Sequence, residues 1–221
     1  MSIHQVVTID GPAASGKSVA GEVLAKKLGY LFVSSGHFYR ALAWAVNRDR
    51  IDLSQSEAIF DWLQQLSFQH KIFDDGLHLF IDNYDVTPHL NDNAVNMLVS
   101  PLAALPVIRN FLLTRFRALA DEYDLVMEGR DIGSVIFPEA KYKFYLDASP
   151  EVRAWRRSYQ GIIDNVTQRD HQDSTRKTAP LVIPEGAIVI DTSNLTIFQT
   201  HETIEKMMEK MKMSFPLKKR E

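Results

Sequence analysis

Val6-Val7-Thr8-Ile9-Asp10-Gly11-Pro12-Ala13-Ala14-Ser15-Gly16-Lys17-Ser18 is the stretch on which the fold turns. Its first half is a short β-branched run closed by Asp10-Gly11-Pro12, which reads as a buried strand passing into a loop. Beyond it, Val19, Val23, Leu24 and Leu28 recur at helical spacing, and Gly29 follows as a C-cap. Leu31-Phe32-Val33 is then a second short strand, running into Ser34-Ser35-Gly36. Strand, glycine-rich loop, helix and strand in that order open a parallel βαβ unit. Gly11 to Ser18 also fits G-x-x-x-x-G-K-[ST] at every fixed position. Glycines let such a loop turn tightly and aim successive N–H groups inward, and the following helix adds its positive end. Lys17 is placed to reach the β- and γ-phosphates of a nucleoside triphosphate, and the Ser18 hydroxyl to bind Mg²⁺. The candidate nucleotide-binding set is Gly11, Pro12, Ala13, Ala14, Ser15, Gly16, Lys17, Ser18 and Val19.

The later chain keeps the α/β rhythm. Leu125-Val126-Met127, Lys143-Phe144-Tyr145-Leu146 and Ala187-Ile188-Val189-Ile190 are short apolar runs, each after a helical stretch, and runs apolar on both faces suit a parallel sheet covered on both sides. Ser149-Pro150-Glu151 supplies an N-cap, a first-turn proline and an early acid. A last helix is expected from about Thr196 to Met213, ahead of a basic tail, Lys218-Lys219-Arg220, that reads as a solvated terminus. One segment departs from the rhythm: Phe68–Phe73, Asp74-Asp75-Gly76 and Leu77–Ile81 read as an antiparallel hairpin. Residues 64–97 are therefore expected to be an insertion on a core made of 1–63 and 98–221.

Composition narrows the chemistry. The 221 residues, 45% apolar and 24% charged, suit one globular domain carrying insertions, and 25 Lys+Arg against 28 Asp+Glu leave a charge of −3. That balance argues against nucleic acid or an anionic membrane as partner. With no cysteine, a disulfide framework, thiol catalysis and cysteine-ligated zinc are excluded. No basic n-region opens the chain, and Met97–Ile108 is broken by Ser100, Pro101 and Pro106, so a cytoplasmic location is expected. The histidines are scattered, with no pair spaced to hold a metal from one helix face.

A D-x-x-G and N-K-x-D pair, which a GTPase switch needs, is absent. Phe144-Tyr145-Leu146-Asp147 could be a Mg²⁺-holding strand end or simply an acid before a capped helix. If a phosphoryl group moves to a nucleoside monophosphate, the acceptor phosphate is already mostly dianionic at pH 7 and needs no base. Arginines to grip and neutralise two polyanions are needed instead. Arg40 and Arg130 sit just past strand ends, where open α/β sheets bind ligands. Arg153, by contrast, reads as part of a solvated helix face.

Several further stretches occur in a fixed order: Ser35-Gly36 with Tyr39-Arg40-Ala41, Glu128-Gly129-Arg130-Asp131-Ile132-Gly133 with Phe137-Pro138, Leu146-Asp147-Ala148-Ser149, Arg169-Asp170, Asp173-Ser174-Thr175-Arg176 and Ala179-Pro180-Leu181. With Ile9–Ser18 they resemble bacterial-type cytidylate kinase over nearly the whole chain. The resemblance implies a P-loop nucleoside monophosphate kinase fold: α/β, a five-stranded parallel sheet flanked by helices, a small antiparallel NMP-binding insertion (64–97) and a lid (about 153–172). It implies ATP with Mg²⁺ as donor, CMP or dCMP as acceptor, a role in pyrimidine metabolism, and a monomer. Ser100, Arg109 and Asp131 would read the cytosine edge, Arg40 and Arg130 would hold the acceptor phosphate, and Ser35 would line that pocket. Arg169 and Asp173 would contact the sugar, while Arg157 and Arg176 would approach the transferring phosphoryl with Lys17 and Arg130.

Three positions depart from the family pattern. Ser34 stands where an acid is common, and Asn91 where arginine is usual. The stretch from Arg157 to Arg169 is about ten residues shorter than expected, at a place where lid loops lie. Either the lid is short or a segment is missing between Arg157 and Ser158, and the second is the expectation. Two rival readings remain: a P-loop kinase acting on a hydroxyl, with Asp131 as base, and a sensor that binds ATP without turnover.

Overall fold

A computed structural model of the chain describes residues 4–159 and 166–211, without the side chains of 166–169. The described parts fall into two compact units, Met1–Val33 with Leu119–Glu221, and Ser34–Ala118.

In the first unit, among the described residues, five parallel strands lie in the order β2-β6-β1-β7-β8: β1 (Val6–Asp10), β2 (Leu31–Ser34), β6 (Leu125–Gly129), β7 (Tyr142–Asp147) and β8 (Ile188–Asp191). The run Leu125–Gly129 is buried throughout and Tyr142–Leu146 likewise, as expected of strands covered on both faces. α1 (Lys17–Leu28) and α8 (Ile197–Lys210) cover one of those faces, with Leu24, Leu28, Ile204 and Met208 packing with Val7, Ile9, Val126, Phe144 and Ile190. Gly29, at φ 72°, ends α1 as a left-handed C-cap. Thr196 opens α8 with a capping box: its hydroxyl accepts from Gln199 N and the Gln199 side chain accepts from Thr196 N. Pro150 begins α6 (Pro150–Tyr159), with Val152 N donating to Ser149 Oγ at 3.3 Å, and α7 is Val166–Ser174. α6 runs unbroken through Arg157 and Ser158. Part of the expected lid, the basic tail and the last residues of the expected final helix lie outside the described residues.

β1 is the strand about which the sheet order reverses, and ligands in open α/β sheets bind at the carboxyl ends beside such a point. The register sets Asp10 opposite Gly129 on one side and Tyr145 on the other. The Gly11–Ser18 loop and the Glu128–Gly133 turn therefore leave the sheet side by side.

The second unit carries α2 (Ser35–Asp49), α3 (Ser56–Gln65), α4 (Asn93–Ala103), the greater part of α5 (Pro106–Glu122) and an antiparallel sheet. Its hairpin, β3 (Phe68–Phe73) with β4 (Gly76–Ile81), turns at Asp74-Asp75 as the sequence predicts, and a two-residue β5 (Tyr84–Asp85) adds an edge the sequence did not announce. Phe38 stacks on Phe68 and meets Phe116 edge-on at 5.0 Å between centroids, the aromatic heart of this unit. Pro101 lies within α4, and α4 and α5 meet at 97°; among the described residues no single helix is long and apolar enough to cross a membrane.

Candidate active site

The phosphate loop is built on backbone geometry that few residues tolerate. Gly11 sits at φ 146°, and a Cβ there would lie 2.0 Å from the Leu146 carbonyl oxygen. Ala14 and Gly16 are also left-handed, at φ 58° and 94°. Such alternations let neighbouring N–H groups converge on an anion, and Gly16 then serves as the N-cap of α1. Lys17 is 4% exposed, its Nζ donating to Pro12 O at 2.5 Å and reaching Ser15 Oγ at 3.4 Å. Burial drives the Lys17 ammonium down to about 7 and Arg130 pushes the same way, against Glu128, Asp10 and Asp173. A phosphate in the loop would relieve that penalty. Ser18 Oγ donates to Glu128 Oε1 at 3.3 Å.

Asp10 is fully buried and accepts from Ile132 N and Gly133 N, both at 2.7 Å. Burial raises its pKa to about 7, although the two N–H groups pull the other way. These bonds tie the 128–133 turn to the end of β1. Gly133 is required there, because a Cβ would come within 2.7 Å of Thr8 Oγ1. Arg130 Nε donates to Asp173 Oδ2 at 2.8 Å, and Arg176 donates to the other oxygen of the same carboxylate. Asp131 is buried beside them in the chain. Arg130, Arg176 and Asp173 are thus brought together, with Asp173 bridging two arginines. Arg157 is half-buried on α6, and the Arg169 side chain lies outside the described residues.

Arg153 corrects the solvated-face expectation. It is 5% exposed, donates to Ala148 O at 2.8 Å and Ala13 O at 3.4 Å, and pairs with Asp170 at 2.5 Å. Arg156 likewise donates to Ala14 O at 3.1 Å. Asp147 is exposed and accepts from Ala148 N, closing the turn into α6. The acid that meets Ser18 is Glu128, to which the sequence reading gave no role. Its only signal in the sequence is an acid at the end of a short apolar run, which nothing in the pattern separates from Asp147.

In the second unit, Ser35 is buried at the start of α2. Arg40 Nη1 donates to Leu90 O at 3.0 Å and to Asn96 Oδ1. Ser100 is half-buried one helical turn beyond Asn96 on α4. Arg109 is 6% exposed, donates to Ala103 O at 3.0 Å and lies 5.6 Å from the centre of the Tyr39 ring. Arg40, Ser100 and Arg109 thus gather around the α2–α4 contact. Asn91, at the departure from the family pattern, contributes its backbone carbonyl, which accepts from Asn96 Nδ2.

The family model for cytidylate kinase matches residues 7–213. A cytidylate kinase of Vibrio cholerae serotype O1 is 37% identical over 221 residues, covering 95% of this chain and 97% of that one. One from Caldanaerobacter subterraneus subsp. tengcongensis is 38% identical over 214 residues, covering 92% of each. Among solved structures, a gluconokinase from Sinorhizobium meliloti 1021 aligns over 96% of this chain and 98% of its own, with a TM-score of 0.46 and 17% identity.

Proposed function

The chain belongs to the cytidylate kinase family, and from that premise we propose how its residues share the transfer of a phosphoryl group to CMP or dCMP. The reaction is ATP + (d)CMP → ADP + (d)CDP: a phosphate oxygen of the acceptor bonds to the γ-phosphorus as the bond to the ADP oxygen breaks. The acceptor oxygen is already ionised, so the work left is alignment and neutralisation of charge. One observation supports the assignment most directly: Lys17, Ser18 and the Glu128–Gly133 turn leave neighbouring strands side by side, with Asp10 bonded across them. Loop N–H groups and Lys17 take the β- and γ-phosphates. Arg130, Arg157 and Arg176 neutralise the charge that spreads over the moving group. Ser18 Oγ and Glu128 Oε1 form a hard oxygen pair 3.3 Å apart, which fits Mg²⁺. Those two residues would hold the ion, and the chemistry it would supply there is withdrawal of negative charge from the triphosphate.

On the acceptor side the assignments are made residue by residue. Arg40 and Arg130 take the CMP phosphate, with Ser35 lining that pocket, and Arg169 and Asp173 take the sugar. Ser100, Arg109 and Asp131 take the base. A carboxylate at Asp131 accepts from the cytosine amino group, whereas uracil would turn a carbonyl toward it and leave a buried charge facing an acceptor. Residues 64–97 serve as the NMP-binding insertion and 153–172 as the lid. A monomer acting in the cytoplasm on small molecules, with no nucleic acid or membrane partner, completes the proposal.

ADP formation from ATP-Mg²⁺ with CMP, dCMP, UMP or AMP tests this. Turnover is expected with CMP and dCMP, and Lys17→Ala should lower kcat by at least about 100-fold. Asp131→Ala should chiefly erase the preference for CMP over UMP. Tight ATP binding with no turnover on any monophosphate would overturn the reading.

A further inference from the structure

The phosphate loop works only if its N–H groups face the ligand, and in a trans peptide the carbonyl of one residue points opposite to the N–H of the next. Holding the carbonyls of Ala13, Ala14 and Ser15 outward therefore turns the N–H groups of Ala14, Ser15 and Gly16 inward. Each of those carbonyls has a holder: Arg153 Nη1 on Ala13 O at 3.4 Å, Arg156 Nη1 on Ala14 O at 3.1 Å, and Thr192 Oγ1 on Ser15 O at 2.9 Å. Thr192 follows β8, is 1% exposed, and lies 177 positions from Ser15.

The direction of the Thr192 hydroxyl follows from its neighbours. Arg156 Nη1 lies 3.1 Å from Thr192 Oγ1, and a guanidinium can only donate, so the hydroxyl oxygen accepts there and its proton points elsewhere. Two carbonyls lie within 2.9 Å, those of Ser15 and Asp147. Asp147 O already has Thr192 N as a donor at 2.8 Å, whereas the hydroxyl is the donor that Thr192 offers to Ser15 O. Arg156 Nη2 fixes the arrangement by donating to Thr192 O at 2.7 Å. One buried threonine thus joins the ends of β7 and β8, the phosphate loop and α6.

We propose that Thr192, oriented by Arg156, is a positioning residue that presets the phosphate-loop N–H groups for the triphosphate of ATP. It touches no substrate. The proposal rests on the kinase reading above, because it assumes that the loop receives ATP.

The test is Thr192→Val, which keeps shape and β-branching but removes the donor, beside Thr192→Ser, which restores it. Losing one hydrogen bond should weaken ATP binding by about threefold to tenfold. In calorimetry with a non-hydrolysable ATP analogue and Mg²⁺, Thr192→Val should show that loss and Thr192→Ser should recover most of it. In steady state the KM for ATP should rise while the KM for CMP stays within about twofold. If Thr192→Val does not fold, the half-exposed Arg156→Gln carries the same measurements. Unchanged ATP affinity, parallel loss of ATP and CMP binding, or no rescue by serine would overturn the proposal. Wild-type protein inert toward every monophosphate would sink the kinase reading instead, and the calorimetric ratio would still judge Thr192.

Discussion

Asp10 closes β1 with its carboxylate out of water and two N–H groups of the 132–133 turn aimed at it. Desolvation raises its pKa from 3.8 to about 7 even against those two donors, so between about pH 4 and pH 7 the folded protein retains a proton that the unfolded chain releases. A folded pKa above the unfolded one means that this group's stabilisation is complete below pH 3.8 and is lost as pH rises toward 7. Beyond pH 7 both states are ionised and the contribution is level. Subtracting the stability curve of Asp10→Asn from that of the wild type cancels the titrations of groups that do not interact with Asp10. The difference should fall steadily between about pH 4 and pH 7 and then flatten, as read by urea unfolding at fixed temperature. A flat difference across that range would mean that Asp10 stays ionised in the folded protein.

Among the elements, α6 is where sequence and structure part company. Its charged residues crowd one short helix, and a pattern of that kind is most often a solvated face, yet Arg153 is buried against a loop 140 positions away. Only tertiary contact supplies the carbonyls of Ala13 and Ala148 that make an arginine tolerable there, so no local reading could have found it. The parallel strands and α1 were legible because apolar runs, the Gly11–Ser18 spacing and Gly29 are local signals. The hairpin was legible because Asp74-Asp75-Gly76 can only turn between two apolar runs. β5 was not, since two residues carry no periodicity, and Glu128 was not because its role depends on the register that sets β6 against β1. The two readings of Arg153 differ in a measurable way. Arg153→Ala should lower the unfolding free energy by about 2 kcal/mol, below the full cost of breaking a buried pair because Asp170 is partly exposed. A solvated-face arginine would cost less than about 0.5 kcal/mol. Urea titration separates the two.

At the scale of the whole chain, the first unit is assembled from both ends of the sequence: β1 pairs with β6 across more than a hundred residues, from Val6 to Leu125. Pairings that distant are slow to form, whereas Ser34–Ala118 is one continuous run with its own aromatic heart. The division separates the residues proposed for the two substrates. Every phosphate-loop residue, and Thr192 with it, belongs to the first unit, while Arg40, Ser100 and Arg109 belong to the second. Arg40 is held by Leu90 O and Asn96 Oδ1, both within its own unit, so its removal leaves the phosphate loop's bonds untouched. If Arg40 grips the acceptor phosphate, Arg40→Ala forfeits a hydrogen bond to a charged group, a loss of about 1.5–3 kcal/mol, or roughly 10- to 100-fold in affinity. The KM for CMP should rise by that factor while ATP affinity stays within about twofold. Thr192→Val should give the opposite pattern, and the pair of variants together forms the control for each. An Arg40→Ala protein that lost ATP and CMP binding in parallel would show that the second unit acts on the fold of the first rather than on the acceptor, and the assignment of Arg40 would fall.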